Sequence, residues 1–200
     1  MRPGKAAICV ALAAGALLAP ARADAASCAY TGSRDVLSTP AARIYYTPAW
    51  RPYSCYRITG RRVALDTFVD RFYAPRDAHL GQLRTTGRVL GFTWVDPGLP
   101  AVYVQSLDMR LARFRRRAIV APSVSAEPSA VRVTDLVVRQ SGAIAWVQQV
   151  EGETSVWRLD AGGRARLDAG EGIGTGSLSG VSATRVGWDH DGVARSAVLR

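Results

Sequence analysis

The chain has 200 residues and a formal net charge of +10, from 26 Lys plus Arg against 16 Asp plus Glu. That length fits one domain with room for a real core. Lys5 is the only lysine, which excludes a phosphate-binding loop ending in Gly-Lys, and His79 and His190 are the only histidines on offer as bases.

In chain order, the first segment reads as an address and not as part of the fold. Met1 to Lys5 carries Arg2 and Lys5, Ala6 to Ala19 is a 14-residue apolar run, and Ala21-Arg22-Ala23 offers small residues at a cleavage site. Positive end, short apolar middle and small-residue cut site predict a signal peptide over 1–23. The run is short of the roughly 20 residues a spanning helix needs, so no stable membrane span is expected. Removing 1–23 takes away Arg2, Lys5 and Arg22 and leaves +7 on residues 24–200, expected to be a single all-β domain. All basic charge there is arginine.

Cys9 goes with the leader, and Cys28 and Cys55 remain, 27 residues apart. An even pair in an exported chain predicts a disulfide. Closing that loop contributes roughly 3–4 kcal/mol in the chain-entropy description. Residues 24–39 read as extended and tied down by Cys28. Ala42 to Tyr46 and Tyr53 to Thr59 read as strands around a loop, where Pro48 and Pro52 argue against a regular ladder. Residues 66–79 fit a helical face through Phe68, Phe72 and Tyr73, or an irregular strand; weak capping signals favour strand and loop.

From Leu83 the rhythm is clearer. Strands are expected at 89–94, 101–107 and 113–120, followed by a Pro-rich loop over 121–130 holding Pro122 and Pro128. Next come 135–139, 143–148, 154–159 and 164–168, with turns at Gln140-Ser141-Gly142, Glu151-Gly152 and Ala161-Gly162-Gly163. The last unit holds 178–181, 184–188 and 194–199. This is the sequence of an antiparallel meander.

Three triplets recur: Leu90-Gly91-Phe92, Ile144-Ala145-Trp146 and Val186-Gly187-Trp188. Ten residues after each aromatic stands a valine, Val102, Val156 or Val198, then a large apolar residue, Tyr103, Trp157 or Leu199. Ten before two of the aromatics stands Leu136 or Leu178; Leu83 is one out of step with Phe92. Strand side chains alternate between faces. The aliphatic and aromatic residues therefore share one face, and the small residue opposite lets a neighbouring sheet approach. These units resemble β-propeller repeats of secreted bacterial proteins, TolB-like or WD40-like, over about 83–199. The Trp-Asp dipeptide occurs once, at Trp188-Asp189, without a Gly-His pair. The resemblance implies a propeller-like scaffold, incomplete or irregular, and propellers host both binding and catalysis.

Chemistry is sparse in the sequence. A serine triad needs a base and an orienting acid, and no Gly-x-Ser-x-Gly elbow is present. Asp189-His190-Asp191-Gly192 reads more simply as a hairpin turn than as a calcium loop. Gly170 to Gly176, with alternating glycines, reads as a flexible inter-unit loop and not as a nucleotide fingerprint. The densest charge is Arg110, Arg113, Arg115, Arg116 and Arg117. On a regular strand Arg113, Arg115 and Arg117 share one face, an anion-binding candidate beside the plainer reading of a solvated edge strand. The sequence thus predicts an exported, non-catalytic β-repeat protein with a binding or structural role, and without a cofactor. The alternatives are a hydrolase using loop carboxylates with His190 or His79, and an anionic-polymer binder. A protein or a cell-wall polymer fits as partner; export disfavours nucleic acid.

Overall fold

The computed structural model describes residues 28–66, 79–96, 101–120 and 131–200. The expected leader at 1–23 and the Pro-rich loop at 121–130 lie outside the described residues, as does most of 66–79. The described chain is all-β, in four antiparallel sheets that follow one another along the sequence.

The first sheet holds β1 (Arg34–Ser38), β2 (Ala42–Tyr46), β3 (Pro52–Tyr56) and β4 (Arg61–Ala64). The second holds β5 (His79–Thr86), β6 (Val89–Asp96), β7 (Ala101–Asp108) and β8 (Arg113–Ile119). The third holds β9 (Val131–Val138), β10 (Ile144–Val150), β11 (Glu153–Asp160) and β12 (Gly163–Ala169). The fourth holds β13 (Ser179–Ser182), β14 (Arg185–His190) and β15 (Val193–Val198). Each is a meander in which sequence neighbours pair.

Turn chemistry accounts for the meander. Glu151-Gly152 and Asp191-Gly192 are two-residue loops with positive φ at both positions, 51° and 87°, then 57° and 76°. Such turns match the right-handed twist of the strands they join. Pro52 does not prevent pairing of β2 with β3, because it is the first residue of its strand and pairs with Tyr46, a place where a missing N–H is tolerated. The expected loop around Trp50 and the strand carrying Cys55 are both present.

Packing follows the two faces of each sheet. Leu90, Phe92 and Trp94 of the second sheet pack with Ala42, Ile44 and Leu65 of the first. Ile144 and Trp146 of the third pack with Val89, Val102 and Val104 of the second. Val186 and Trp188 of the fourth pack with Ala145, Val147 and Val156 of the third. So each recurring aromatic is buried against the preceding sheet, at 0% exposure for Phe92 and Trp146 and 6% for Trp188. The small residue between them works as the pattern predicts in the second sheet: a Cβ on Gly91 would stand 2.8 Å from the Cβ of Val138 in the third. In the fourth sheet it does not. The space above Gly187 is filled by Val181 of the same sheet, 2.7 Å from where a Cβ would be.

The valine spacing repeats in face but not in register. Phe92 pairs with Gln105, Trp146 with Trp157, and Trp188 with Arg195. Hairpin lengths differ, so the residue ten positions on sits at a different height in each sheet. Parity is kept, and Tyr103, Trp157 and Leu199 all join the cluster on the preceding side. Val198, by contrast, is 39% exposed.

Arginines stitch the sheets at their rims by donating to backbone carbonyls of neighbours. Arg61 reaches the Arg110 carbonyl at 3.1 Å. Arg164 spans those of Ile119 and Val120, at 2.5 and 2.8 Å. Arg158 reaches the Val198 carbonyl at 3.0 Å, and Arg139 that of Arg185. Such donors satisfy carbonyls left over at strand ends. The Cys28–Cys55 disulfide forms, with Cα atoms 5.8 Å apart. With Tyr45 and Tyr53 it covers the outer face of the first sheet.

Candidate functional site

Two polar constellations stand out, and sequence reasoning anticipated each in part. The first joins the third and fourth sheets. Asp168, near the end of β12, is 8% exposed at its side chain. Its carboxylate accepts from the indole Nε1 of Trp188 at 2.7 Å, from Nδ1 of His190 at 2.8 Å, from Arg195 at 2.9 Å and from the Ala169 N–H at 3.0 Å. Burial alone would raise its pKa, but the Trp188, His190 and Ala169 hydrogen bonds outweigh it and hold the carboxyl below the ordinary value of 3.8. Alternation along β14 explains the convergence, since Trp188 and His190 are two apart and point the same way.

A histidine on a buried aspartate supplies two of the three members of a catalytic triad, so its second nitrogen matters. Nε2 of His190 lies 3.5 Å from a carboxylate oxygen of Asp191 and against Gly170, where a Cβ would come within 2.8 Å of it. Among the described residues no hydroxyl bonds it. The two histidines are not brought together: His79 opens β5 in the second sheet, His190 closes β14 in the fourth, and the third sheet lies between. The pair is therefore a clasp between sheets. Asp135 does a similar job, bonding the Leu178 N–H at 2.8 Å across the same junction.

The glycine-rich segment belongs to this clasp. It is a loop, as the sequence predicts, but it is pinned and not free. Gly172 accepts from the Asp191 N–H at 2.9 Å, Gly174 donates to the Asp189 carbonyl at 3.2 Å, and Ile173 bridges His190. The glycines are there because the backbone runs hard against side chains: a Cβ on Gly172 would overlap Asp191 at 1.7 Å.

The second constellation is on β8. Arg113, Arg115 and Arg117 do not form one row, because the strand carries a bulge. Phe114 pairs with Leu107 and Arg116 with Ser106, which leaves Arg115 as the extra residue. A bulge slips the alternation by one. Arg117 consequently falls on the same face as Phe114, with its guanidinium 4.1 Å from the Tyr103 ring centroid, while Arg113 and Arg116 share the other face.

On that other face is a cleft of about 290 Å³ lined by Leu111, Arg113, Phe114, Arg115, Arg116 and Ser141. Arg115 is set by two contacts. Its guanidinium meets the fully buried Asp108 at 2.5 Å, and its stem lies over Gly142, where a Cβ would stand 2.7 Å from its Cδ. Arg88 also reaches Asp108, at 3.1 Å. Burial works to raise the Asp108 pKa, but the Arg115 hydrogen bond, the Leu111 N–H and the two guanidinium charges hold it below the ordinary value. The sequence places Arg116 in the dense arginine run but, without the bulge, on the face opposite Arg113; Ser141 it marks only as a turn residue.

Among the described residues no three His, Cys, Asp or Glu side chains gather as metal ligands, and no helix is long and apolar enough to cross a membrane.

No family model matches the chain, and no curated protein does. Among solved structures, a chain in the complex of a Saccharomyces cerevisiae Dbp5 variant with Nup159, a Gle1 variant, IP6 and ADP is similar at 11% identity. The match covers 77% of this chain and 38% of that one, with a TM-score of 0.37. The Bacillus megaterium YpeB C-terminal domain is similar at 11% identity over 68% of this chain and 89% of that one, with a TM-score of 0.16. The chain thus spans well under half of the first of these.

Proposed function

We propose that the protein is an exported, non-catalytic β-repeat scaffold of propeller-like kind with a binding role outside the membrane. The observation that carries this reading is the closed state of the Asp168–His190 pair. Every strong donor around Asp168 comes from the fourth sheet or from the adjoining Ala169 N–H, and Nε2 of His190 abuts Gly170 and Asp191. A general base needs a nitrogen within reach of a substrate proton. Here both nitrogens face the protein. The other buried aspartates are used in the same way: Asp108 on arginines, Asp135 on Leu178, Asp160 on Arg158 and the Arg200 N–H.

Export is supported by the leader pattern at 1–23 and by the Cys28–Cys55 bond, which persists in oxidising compartments. The propeller-like reading is supported by four consecutive meanders, three of which bury the recurring aromatic against the sheet before it.

The test is turnover. The purified protein and His190→Ala are assayed against chromogenic ester, phosphate ester and glycoside substrates. The scaffold reading expects both to match buffer. Turnover by the parent that the variant lacks overturns it.

A further inference from the structure

We propose that the cleft between β8 and the Ser141 turn binds an oxyanion head group, a carboxylate, sulfate or phosphate ester. This deepens the binding reading above and rests on it for the role, though not for the chemistry.

Charge imbalance is the first argument. Arg113, Arg115 and Arg116 line the cleft. Arg88 shares Asp108 with Arg115, and Arg61 is bonded to the backbone of Arg110, beside the lining residue Leu111. Arg88, Arg113, Arg115 and Arg116 thus gather around one carboxylate, Asp108, which is fully buried and already occupied. Among the described residues no ion pair is made by Arg113 or Arg116. Like charges so gathered raise the local anion concentration and favour a bound counter-charge.

Geometry is the second. Arg115 is held by Asp108 and by the missing side chain of Gly142, so one wall of the cleft is preset. The Nε atoms of Arg115 and Arg116 are buried and have no hydrogen-bond partner among the described residues. A guanidinium presents its donors in a planar fork that suits carboxylate, sulfate and phosphate oxygens. Ser141 also lines the cleft, its hydroxyl oxygen accepting from the Ala143 N–H at 3.3 Å. Size is the third argument: about 290 Å³ is at the small end for ligand sites, so it suits one head group and not a dinucleotide. Leu111, 51% exposed at the rim, offers an apolar edge for whatever carries that group.

Fluorescein-labelled dextran sulfate is the probe, read by anisotropy against increasing sodium chloride. The parent binds, and Arg113→Ala with Arg116→Gln binds at least tenfold more weakly. Arg34→Ala with Arg132→Ala removes the same charge from exposed positions outside the cleft and changes binding less than twofold. Equal weakening by both pairs, or no binding by the parent, overturns the site. Should the Arg116 change impair folding, Arg113→Ala alone serves, since Arg113 is exposed; at least threefold weakening is expected, and none counts against the site. Displacement by inorganic sulfate at matched ionic strength supports a site that reads the free group. The tenfold loss without displacement supports one that reads a polymer-borne group. Enzymatic turnover would sink the scaffold reading and leave this result standing; equal weakening would do the reverse.

Discussion

Asp168→Asn is the sharpest perturbation of the junction between the third and fourth sheets. The substitution keeps the shape, removes the charge and replaces one oxygen by an NH2. Both oxygens receive N–H donors: Trp188 and His190 on one, the Ala169 N–H on the other, and Arg195 on both. Whichever way the amide turns, it sets donor against donor. Removing one partner of a buried pair costs about 3–5 kcal/mol, and the lower end applies because the partner charge can regain water. Arg195 can do so, being 45% exposed at its side chain. For a domain of this size about 3 kcal/mol lowers Tm by about 6–12 °C. The assay is urea unfolding followed by tryptophan fluorescence, where Trp188 reports on the junction itself. The pH dependence has a definite sign. The folded pKa of Asp168 is below its ordinary 3.8, so its contribution is present above that value and lost as pH falls through the folded pKa. The gap between parent and variant should therefore narrow below about pH 4. A loss under about 1 kcal/mol at pH 7 would refute the clasp, since that is the scale of an exposed ion pair.

Three further outcomes follow from the packing. Gly91→Ala places a methyl 2.8 Å from the Cβ of Val138, which no rotamer change can move, and should cost about 1–3 kcal/mol by overpacking; in a double-mutant cycle with Val138→Gly the two changes should couple, and additivity within about 0.5 kcal/mol would deny the contact. Gly192→Ala meets no neighbour within 4 Å but sits at φ 76°, so about 1–2 kcal/mol of backbone strain alone should appear in thermal melts. Reduction of Cys28–Cys55, or Cys55→Ser, should lower stability by about 2–5 kcal/mol, and thiol titration of the unreduced, unfolded protein should find neither of these thiols free.

How much was legible in the residues differs between fold and site. The third sheet was the clearest, because Glu151-Gly152 and Gly162-Gly163 punctuate it and Ile144-Ala145-Trp146 alternates cleanly. β1 was not read as a strand: four of its five residues are exposed, so it carries no apolar alternation to detect. Register was hidden for a different reason. A ten-residue offset conserves face by parity, but hairpin length decides which residues lie opposite, so Val102, Val156 and Val198 look equivalent in sequence and are not in space. The arginine strand was misjudged by one residue because a bulge at Arg115 leaves no mark in composition. Asp168 was invisible as a clasp, since its partners stand at 188, 190 and 195 and only the stacking of two sheets joins them.

The account stands on sheets laid face to face in sequence order. Its most direct test is a nuclear Overhauser measurement between the Gly91 α-protons and the Val138 methyl groups, which lie 3.2 Å from the position a Gly91 Cβ would occupy. A strong cross-peak, beside those expected between paired Gly91 and Ser106 of the same sheet, is the predicted result. The intrasheet peaks without the Val138 peak would mean that the second and third sheets do not stack as described.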